Sequence, residues 1–302
     1  MDDDLDADPS GSVCQVCVMP DESISAAWSP AAPDAPAATA AVVARLRTAG
    51  CVFAEEEARL IVAAADTPAD LEAMVDRRAG GEPLEHVLGW AEFCGLRIEV
   101  GPGVFVPRRR SEFLVQQAVA ASAGAGSGGA SAARPVVLDL CCGSGAVGLA
   151  VATALRGADL HAADIDARAA VYAHRNLAAT GGHVYVGDLY DPLPADLRGR
   201  VTLLVVNAPY VPTSEIPLMP PEARLHEPLI ALDGGPDGVS IHRRAAAEAP
   251  QWLAPGGSLL IETSVSQSAL TQAAMTAAGM ATRIATDADM DATVVIGRTE
   301  SR

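Results

Sequence analysis

From residue 135 to the carboxyl terminus, short apolar runs alternate with stretches of helical periodicity, and this constrains the fold more than any other feature of the chain. The runs fall at residues 136–140, 160–163, 183–186, 201–206, 258–261 and 293–296. Such alternation predicts βαβ units, hence an α/β fold with a mostly parallel sheet covered by helices on both faces. In a sheet of that kind ligands bind beyond the carboxyl ends of the strands. The polar residues at those ends are therefore the first candidates for a site.

Three of them are acids. Asp139 closes the first run, and Gly143-Ser144-Gly145 then turns into a helical stretch from Ala146. Glycines suit such a turn because a side chain would keep the backbone from a ligand, while the helix amino terminus offers unpaired N–H groups. Asp164 ends the second run, where a carboxylate can accept both hydroxyl hydrogens of a ribose. Asp188 follows the third run, placed to accept from an adenine amino group. Each acid alone is equally a helix cap or a solvated loop residue. Three at the ends of three successive strands favour an adenosine site.

The fourth run ends in Asn207-Ala208-Pro209-Tyr210. A polar amide, a rigid proline turn and an aromatic ring at the end of a buried strand suit the holding of a planar amino group beside a cofactor. The expected chemistry is on an sp2 nitrogen.

Composition limits the alternatives. The 302 residues are 50% hydrophobic and 20% charged, and no apolar stretch approaches the roughly 20 residues of a membrane helix. The start, Met1-Asp2-Asp3-Asp4, is the opposite of a basic signal peptide, so a cytoplasmic protein is expected, without a membrane partner. A net charge of −17 argues against DNA as a partner, since nonspecific duplex affinity comes from Lys and Arg. Six cysteines do not form a disulfide framework in a chain of this length. Cys14-x-x-Cys17 is half of a zinc spacing with no second pair, so no metal is expected.

The texture divides the chain into a disordered tail at 1–35, a helical substrate-recognition domain at 36–80, a β-hairpin connector at 81–110 and a large α/β domain at 111–302. The last contains a flexible Gly- and Ser-rich linker at 122–134. Apolar residues at helical spacing, Val42, Val43, Leu46, Leu60, Ile61 and Ala64, mark the helical part, and Asp66-Thr67-Pro68 reads as a break with a helix start.

The acids and the glycine turn resemble those of class I methyltransferases that use S-adenosylmethionine, with Cys141 standing where that pattern has its first glycine. With Asn207-Ala208-Pro209-Tyr210 added, residues 40–298 resemble the HemK/PrmC glutamine methyltransferases that modify peptide release factors, whose motif reads Asn-Pro-Pro-Tyr. The strongest stretches run from Gly95-Leu96-Arg97 through Val104-Phe105-Val106-Pro107-Arg108. A second set runs from Glu215-Ile216-Pro217 through His226-Glu227-Pro228, Ala231-Leu232-Asp233-Gly234-Gly235 and Asp237-Gly238.

The resemblance implies a Rossmann-like, mostly parallel seven-stranded sheet with a helical domain and hairpin connector, and S-adenosylmethionine as the methyl donor. It implies that the Asn207 side-chain carbonyl and the Ala208 backbone carbonyl accept the two hydrogens of a glutamine amide, with Pro209 shaping the turn and Tyr210 packing on the amide plane. Phe105 would lie against donor and glutamine, and Arg108 near the cofactor. Asp139, Cys141, Gly143, Gly145, Asp164, Ile165, Asp188 and Leu189 would complete the cofactor pocket. The implied protein partner is a release factor, through its Gly-Gly-Gln loop.

Three departures stand out. Ala208 replaces the first proline of the motif, Pro107-Arg108-Arg109-Arg110-Ser111-Glu112 replaces Pro-Arg-Pro-Glu-Thr-Glu, and Asp289-Met290-Asp291-Ala292-Thr293 replaces a Gly-Arg-Pro-Arg segment. They keep alternatives open: methylation of a small molecule, of another protein or of an adenine amino group, or a non-catalytic module that binds the cofactor. Nothing in the sequence indicates the oligomeric state.

Overall fold

The computed structural model describes residues 35–123 and 134–301. The tail at 1–34 with Cys14 and Cys17, and nearly all of the linker at 122–134, lie outside the described residues.

Three helices, α1 (Ala35–Thr48), α2 (Ala54–Ala64) and α3 (Pro68–Ala79), pack around Val42, Leu46, Ala58, Ile61 and Val75. Thr67 caps α3 by accepting from the Asp70 N–H at 3.1 Å, and Pro68 occupies the first turn, where no N–H is needed. Arg78 pairs with Glu57 at 2.7 Å, tying α3 to α2, and reaches Glu222 at 3.5 Å. A short helix, α4 (Leu84–Leu88), leads into an antiparallel hairpin of β1 (Trp90–Phe93) and β2 (Leu96–Glu99). Its turn places Cys94 and Gly95 at φ of 50° and 71°, the left-handed pair that matches strand twist.

After α5 (Glu112–Ala123) the chain alternates as β3 (Val136–Leu140), α6 (Ala146–Leu155), β4 (Asp159–Asp164), α7 (Ala167–Leu177), β5 (His183–Val186) and β6 (Val201–Val206). The short α8 (Pro221–His226) precedes α9 (Ser240–Trp252), β7 (Leu253–Thr263), α10 (Ser268–Ala277), β8 (Ala281–Asp287) and β9 (Ala292–Arg298). The seven-stranded sheet has the order β5-β4-β3-β6-β7-β9-β8, parallel except for β9, which runs antiparallel to both neighbours. This is the mostly parallel α/β sheet expected from the alternation, and the seven-stranded class I methyltransferase fold that the resemblance implies. Every residue of β3, Asp139 included, is buried, because helices cover both faces, and this explains why its apolar residues do not alternate with exposed polar ones. Val137, Leu203, Val205 and Leu260 face a core shared with α5, α6 and α7. Leu138, Leu204, Leu259 and Ile261 face one shared with α9 and α10.

Strand β8 was absent from the six runs read off the sequence. It is an edge strand with no buried residue, Ala-Thr-Arg-Ile-Ala-Thr-Asp, and so carries no apolar run to announce it. Strand order reverses between β3 and β6, which opens a crevice at their carboxyl ends. Asp139 and Asn207 stand there.

Candidate active site

The crevice is a cavity of about 350 Å³. Its walls include Phe105, Arg108, Asp139, Cys141, Gly143, Asp164, Ile165, Asp188 and Leu189, and also Asn207, Ala208, Pro209 and Tyr210. Residues read from three strand ends, the connector and the fourth strand are thus brought to one place. Gly145 is the exception. It caps α6 at φ 78°, and a Cβ there would stand 2.6 Å from Leu177, so its lack of a side chain serves the packing of α6 on α7 rather than the cavity wall.

On the first side of the cavity the acids organise the backbone. Asp164 accepts from the Gly143 N–H and the Asp166 N–H, each at 2.8 Å, so the end of β4 holds the glycine turn that follows β3. Cys141 takes φ 57° in that turn. A cysteine there keeps the path that glycine would follow, at a cost of about 1–2 kcal/mol for a side chain in the left-handed region. Asp188 pairs with Arg244 of α9 at 2.7 Å, with both side chains partly exposed. Asp139 is buried and accepts from the Gly148 N–H at 2.8 Å, and a Cβ on Gly148 would meet its carboxylate at 2.9 Å.

Burial pushes the Asp139 carboxyl up to about 7, against the pull of the Gly148 N–H. A raised acid pKa means that the native state prefers the protonated form. The stability it supports is present below the ordinary value of 3.8 and is lost as pH rises through about 7. Asp139→Asn should therefore gain Tm over the parent as pH goes from 4 to 7 and hold that gain above, in thermal unfolding without ligand. A gap that does not change with pH would show that Asp139 ionises normally in the fold.

On the second side, Asn207 leaves the end of β6 and donates its Nδ2 to Ser111 Oγ at 3.1 Å. Its carbonyl oxygen is thereby left for the cavity beside buried Ala208. The Tyr210 hydroxyl stands 3.4 Å from Glu262, and its backbone carbonyl accepts from Gln267 Nε2 at 2.7 Å. The Arg110 guanidinium lies over the Tyr210 ring, 5.8 Å from its centroid, and that of Arg108 over the Phe105 ring at 5.2 Å. Arg108 is held by Glu227 at 2.5 Å, and Glu227 also accepts from the Val106 N–H at 3.2 Å. Burial raises the pKa of Glu227, and the nearby Arg108 opposes that rise.

Several of these residues were not read as site residues. Glu227 lay in a stretch quoted for the resemblance, with no role attached. Glu262 could have been found, because it follows the apolar run 258–261 as the three acids follow theirs. Arg244, in the middle of a helix, had no such signal. Among the described residues, no group of three or more His, Cys, Asp or Glu side chains is placed to hold a metal, and no helix is long and apolar enough to cross a membrane.

The arrangement offers a cavity lined by carboxylates and a glycine turn, and by the Asn207 amide and the Tyr210 ring. The first side fits a nucleoside carrying hydroxyl and amino donors. The second fits a neutral group with two N–H donors.

Among known families, the model described as Methyltransferase small domain matches residues 112–218. Release factor glutamine methyltransferase of Mycolicibacterium smegmatis is 38% identical over 74% of this chain and 76% of its own length. Its counterpart in Geobacter sulfurreducens is 37% identical over 64% of this chain and 65% of its own length, just under two thirds of that relative. The 4-amino-L-phenylalanine/4-methylamino-L-phenylalanine methyltransferase of Streptomyces pristinaespiralis is also 37% identical, over 62% of this chain and 63% of its own.

Proposed function

The chain belongs to the family of release factor glutamine methyltransferases, and from that premise we propose that it methylates the side-chain amide nitrogen of a protein glutamine, that of the Gly-Gly-Gln loop of a peptide chain release factor, in the cytoplasm. S-Adenosylmethionine, when bound, supplies a methyl group activated by its sulfonium. Asp164, Asp188 and the turn at 141–144 are the residues that would hold its adenosine, and Phe105 and Arg108 line the same cavity as Asn207.

The observation that carries the reading is the orientation of Asn207. Because Nδ2 is engaged by Ser111, the side chain presents an acceptor, beside Ala208, whose backbone carbonyl the family resemblance gives the second acceptor role. Two acceptors match the two hydrogens of a neutral amide. A lysine ammonium would have to be desolvated and to lose a proton first. An amide nitrogen is a poor nucleophile, so rate comes from aligning its lone pair with the methyl group and from carbonyls that bind more strongly as the nitrogen becomes positive. A protein acceptor is further supported by the segment that gives Met219 and Ile230 to the cavity wall, which leaves Leu218, Leu225, Leu229 and Ile230 exposed at its surface.

One observation favours a second reading. The Streptomyces pristinaespiralis relative is named for an arylamine amino acid, and Arg110 sets a cation at the cavity where the family pattern has an acid. An aromatic NH2 offers the same two donors, and a free carboxylate would suit Arg110.

Purified protein given labelled S-adenosylmethionine should label release factor and not its Gly-Gly-Gln to Gly-Gly-Glu variant. Label in 4-amino-L-phenylalanine instead would establish the second reading, and label in DNA alone would refute both. Asp164→Ala should weaken S-adenosylmethionine binding by roughly 1–3 kcal/mol in calorimetry, since ribose hydroxyls lose a charged acceptor and Gly143 loses its anchor. Unchanged affinity would remove Asp164 from the site.

A further inference from the structure

A second cavity, of about 430 Å³, adjoins the first, and Arg110 and Tyr210 line both. Its other walls come from the end of β7, with Glu262 and Ser264, and from the start of β9, with Asp291 and Thr293. We propose that this second cavity is a specificity subsite for the methyl acceptor, in which Arg110 binds a carboxylate that the substrate carries beside the nitrogen to be methylated. The proposal rests on the reading of Asn207 as the group that holds that nitrogen.

Two guanidiniums stand at the main cavity, and only one is fully engaged. Arg108 is held by Glu227 at 2.5 Å. Arg110 meets an acid only through Nε, 3.6 Å from Glu262 Oε1, and its two terminal nitrogens have no hydrogen-bond partner among the described residues. The planar fork therefore keeps free the edge that matches a carboxylate with two parallel hydrogen bonds. The same guanidinium lies over the Tyr210 ring, 5.8 Å from its centroid, so an anion bound to it is a neighbour of the acceptor group beside that ring.

The acids of the second cavity leave room for such an anion. Glu262 is 2% exposed, and its Oε2 is shut off from solvent without a hydrogen-bond partner. Burial raises its pKa, against the pull of Ser111, Arg110 and Tyr210. The more its neutral form is populated, the less of the Arg110 charge it cancels. Asp291 is exposed, where water and salt screen its charge.

Two departures from the family pattern meet in this cavity. Arg110 stands where the pattern has an acid, and Asp291 belongs to the segment that stands where it has two arginines. Far apart in the sequence, they line one cavity, so the two departures act as one exchange of charge between its walls. Such an exchange alters which charge a substrate must carry, and where, while Asn207 and Tyr210 stay as they are.

The carboxylate can belong to an acidic side chain next to a target glutamine or to a free amino acid, and two matched pairs of ligands separate these sources. One is a Gly-Gly-Gln peptide followed by Glu or by Gln, the other 4-amino-L-phenylalanine and its carboxamide. Calorimetry on protein loaded with S-adenosylhomocysteine, which has no methyl to give, reads binding, and turnover with S-adenosylmethionine reads KM and kcat. In one pair the carboxylate member should bind about tenfold tighter and show the lower KM, the effect of one charge-assisted hydrogen bond. Arg110→Gln should erase that preference, Arg110→Lys should keep part of it, and Arg110→Glu should invert it. Should the first variant fail to fold, the parent and Arg110→Lys decide. Equal binding within both pairs, no binding at all, or a preference that survives in folded Arg110→Gln would overturn the proposal, even if release factor is labelled. If the parent tells a pair apart in binding but methylates neither those ligands nor release factor, the subsite stands and the functional reading fails.

Discussion

Asn207→Ala should lower methyl transfer about 100- to 1,000-fold, the usual effect of removing one group aimed at developing charge, while S-adenosylmethionine affinity stays within a few-fold of the parent. The asymmetry follows from where the residue sits. Its Nδ2 is tied to Ser111 on the acceptor side, whereas the glycine turn and its acids are held by bonds of their own, from Gly143 and Asp166 to Asp164 and from Gly148 to Asp139. Deleting the amide therefore leaves the donor side intact. Single-turnover assays paired with calorimetry measure the two effects separately, and circular dichroism checks the fold. Turnover that survives in a folded variant would mean the acceptor nitrogen is held elsewhere.

Gly238→Ala should cost roughly 2–5 kcal/mol of stability, the sum of a left-handed backbone and an overpacked contact, and should abolish most activity although the residue does not line the cavity. Gly238 has φ 74°, and a Cβ there would fall 2.3 Å from the Tyr210 backbone carbonyl and closer still to Gln267 Nε2. Gln267 bridges the carbonyls of Tyr210 and Asp237 at 2.7 and 3.1 Å. Val211 donates to the Leu232 carbonyl at 3.0 Å and Gly234 to the Val211 carbonyl at 2.9 Å, so the segment 232–238 clamps the loop that presents Asn207 and Tyr210. The new methyl group must push that loop away or break the clamp. Chemical denaturation and turnover should fall together, and a variant with parental stability would show that the clamp yields without strain.

These two residues differ in how visible they were. Asn207 follows the largely apolar run 201–206, so its place at a strand end could be read from the chain alone. Gly238 lay in the quoted Asp237-Gly238 with no role attached, because its partner Tyr210 is far away in the sequence. Asn207 and Ser111 are 96 residues apart, and Arg108 and Glu227 are 119 apart. Such hydrogen bonds leave no trace in periodicity. The edge strand β8 escaped notice for a related reason: exposed strands need no apolar pattern.

The sequence by itself determined the class of the fold, because burying a parallel sheet on both faces demands continuous apolar strands that break into polar residues where the chain turns. It also marked Asp139, Asp164, Asp188 and Asn207, since those breaks are where an α/β sheet opens to a ligand. Only the tertiary structure decided what each polar atom is free to do. It engages Asn207 Nδ2 with Ser111, sets Asp188 against Arg244, and separates Gly143, on the cavity wall, from Gly145, pressed against Leu177. Residue type and spacing specify where a side chain starts. The neighbours that saturate its hydrogen bonds or fill its space come from distant parts of the chain, and folding alone brings them together.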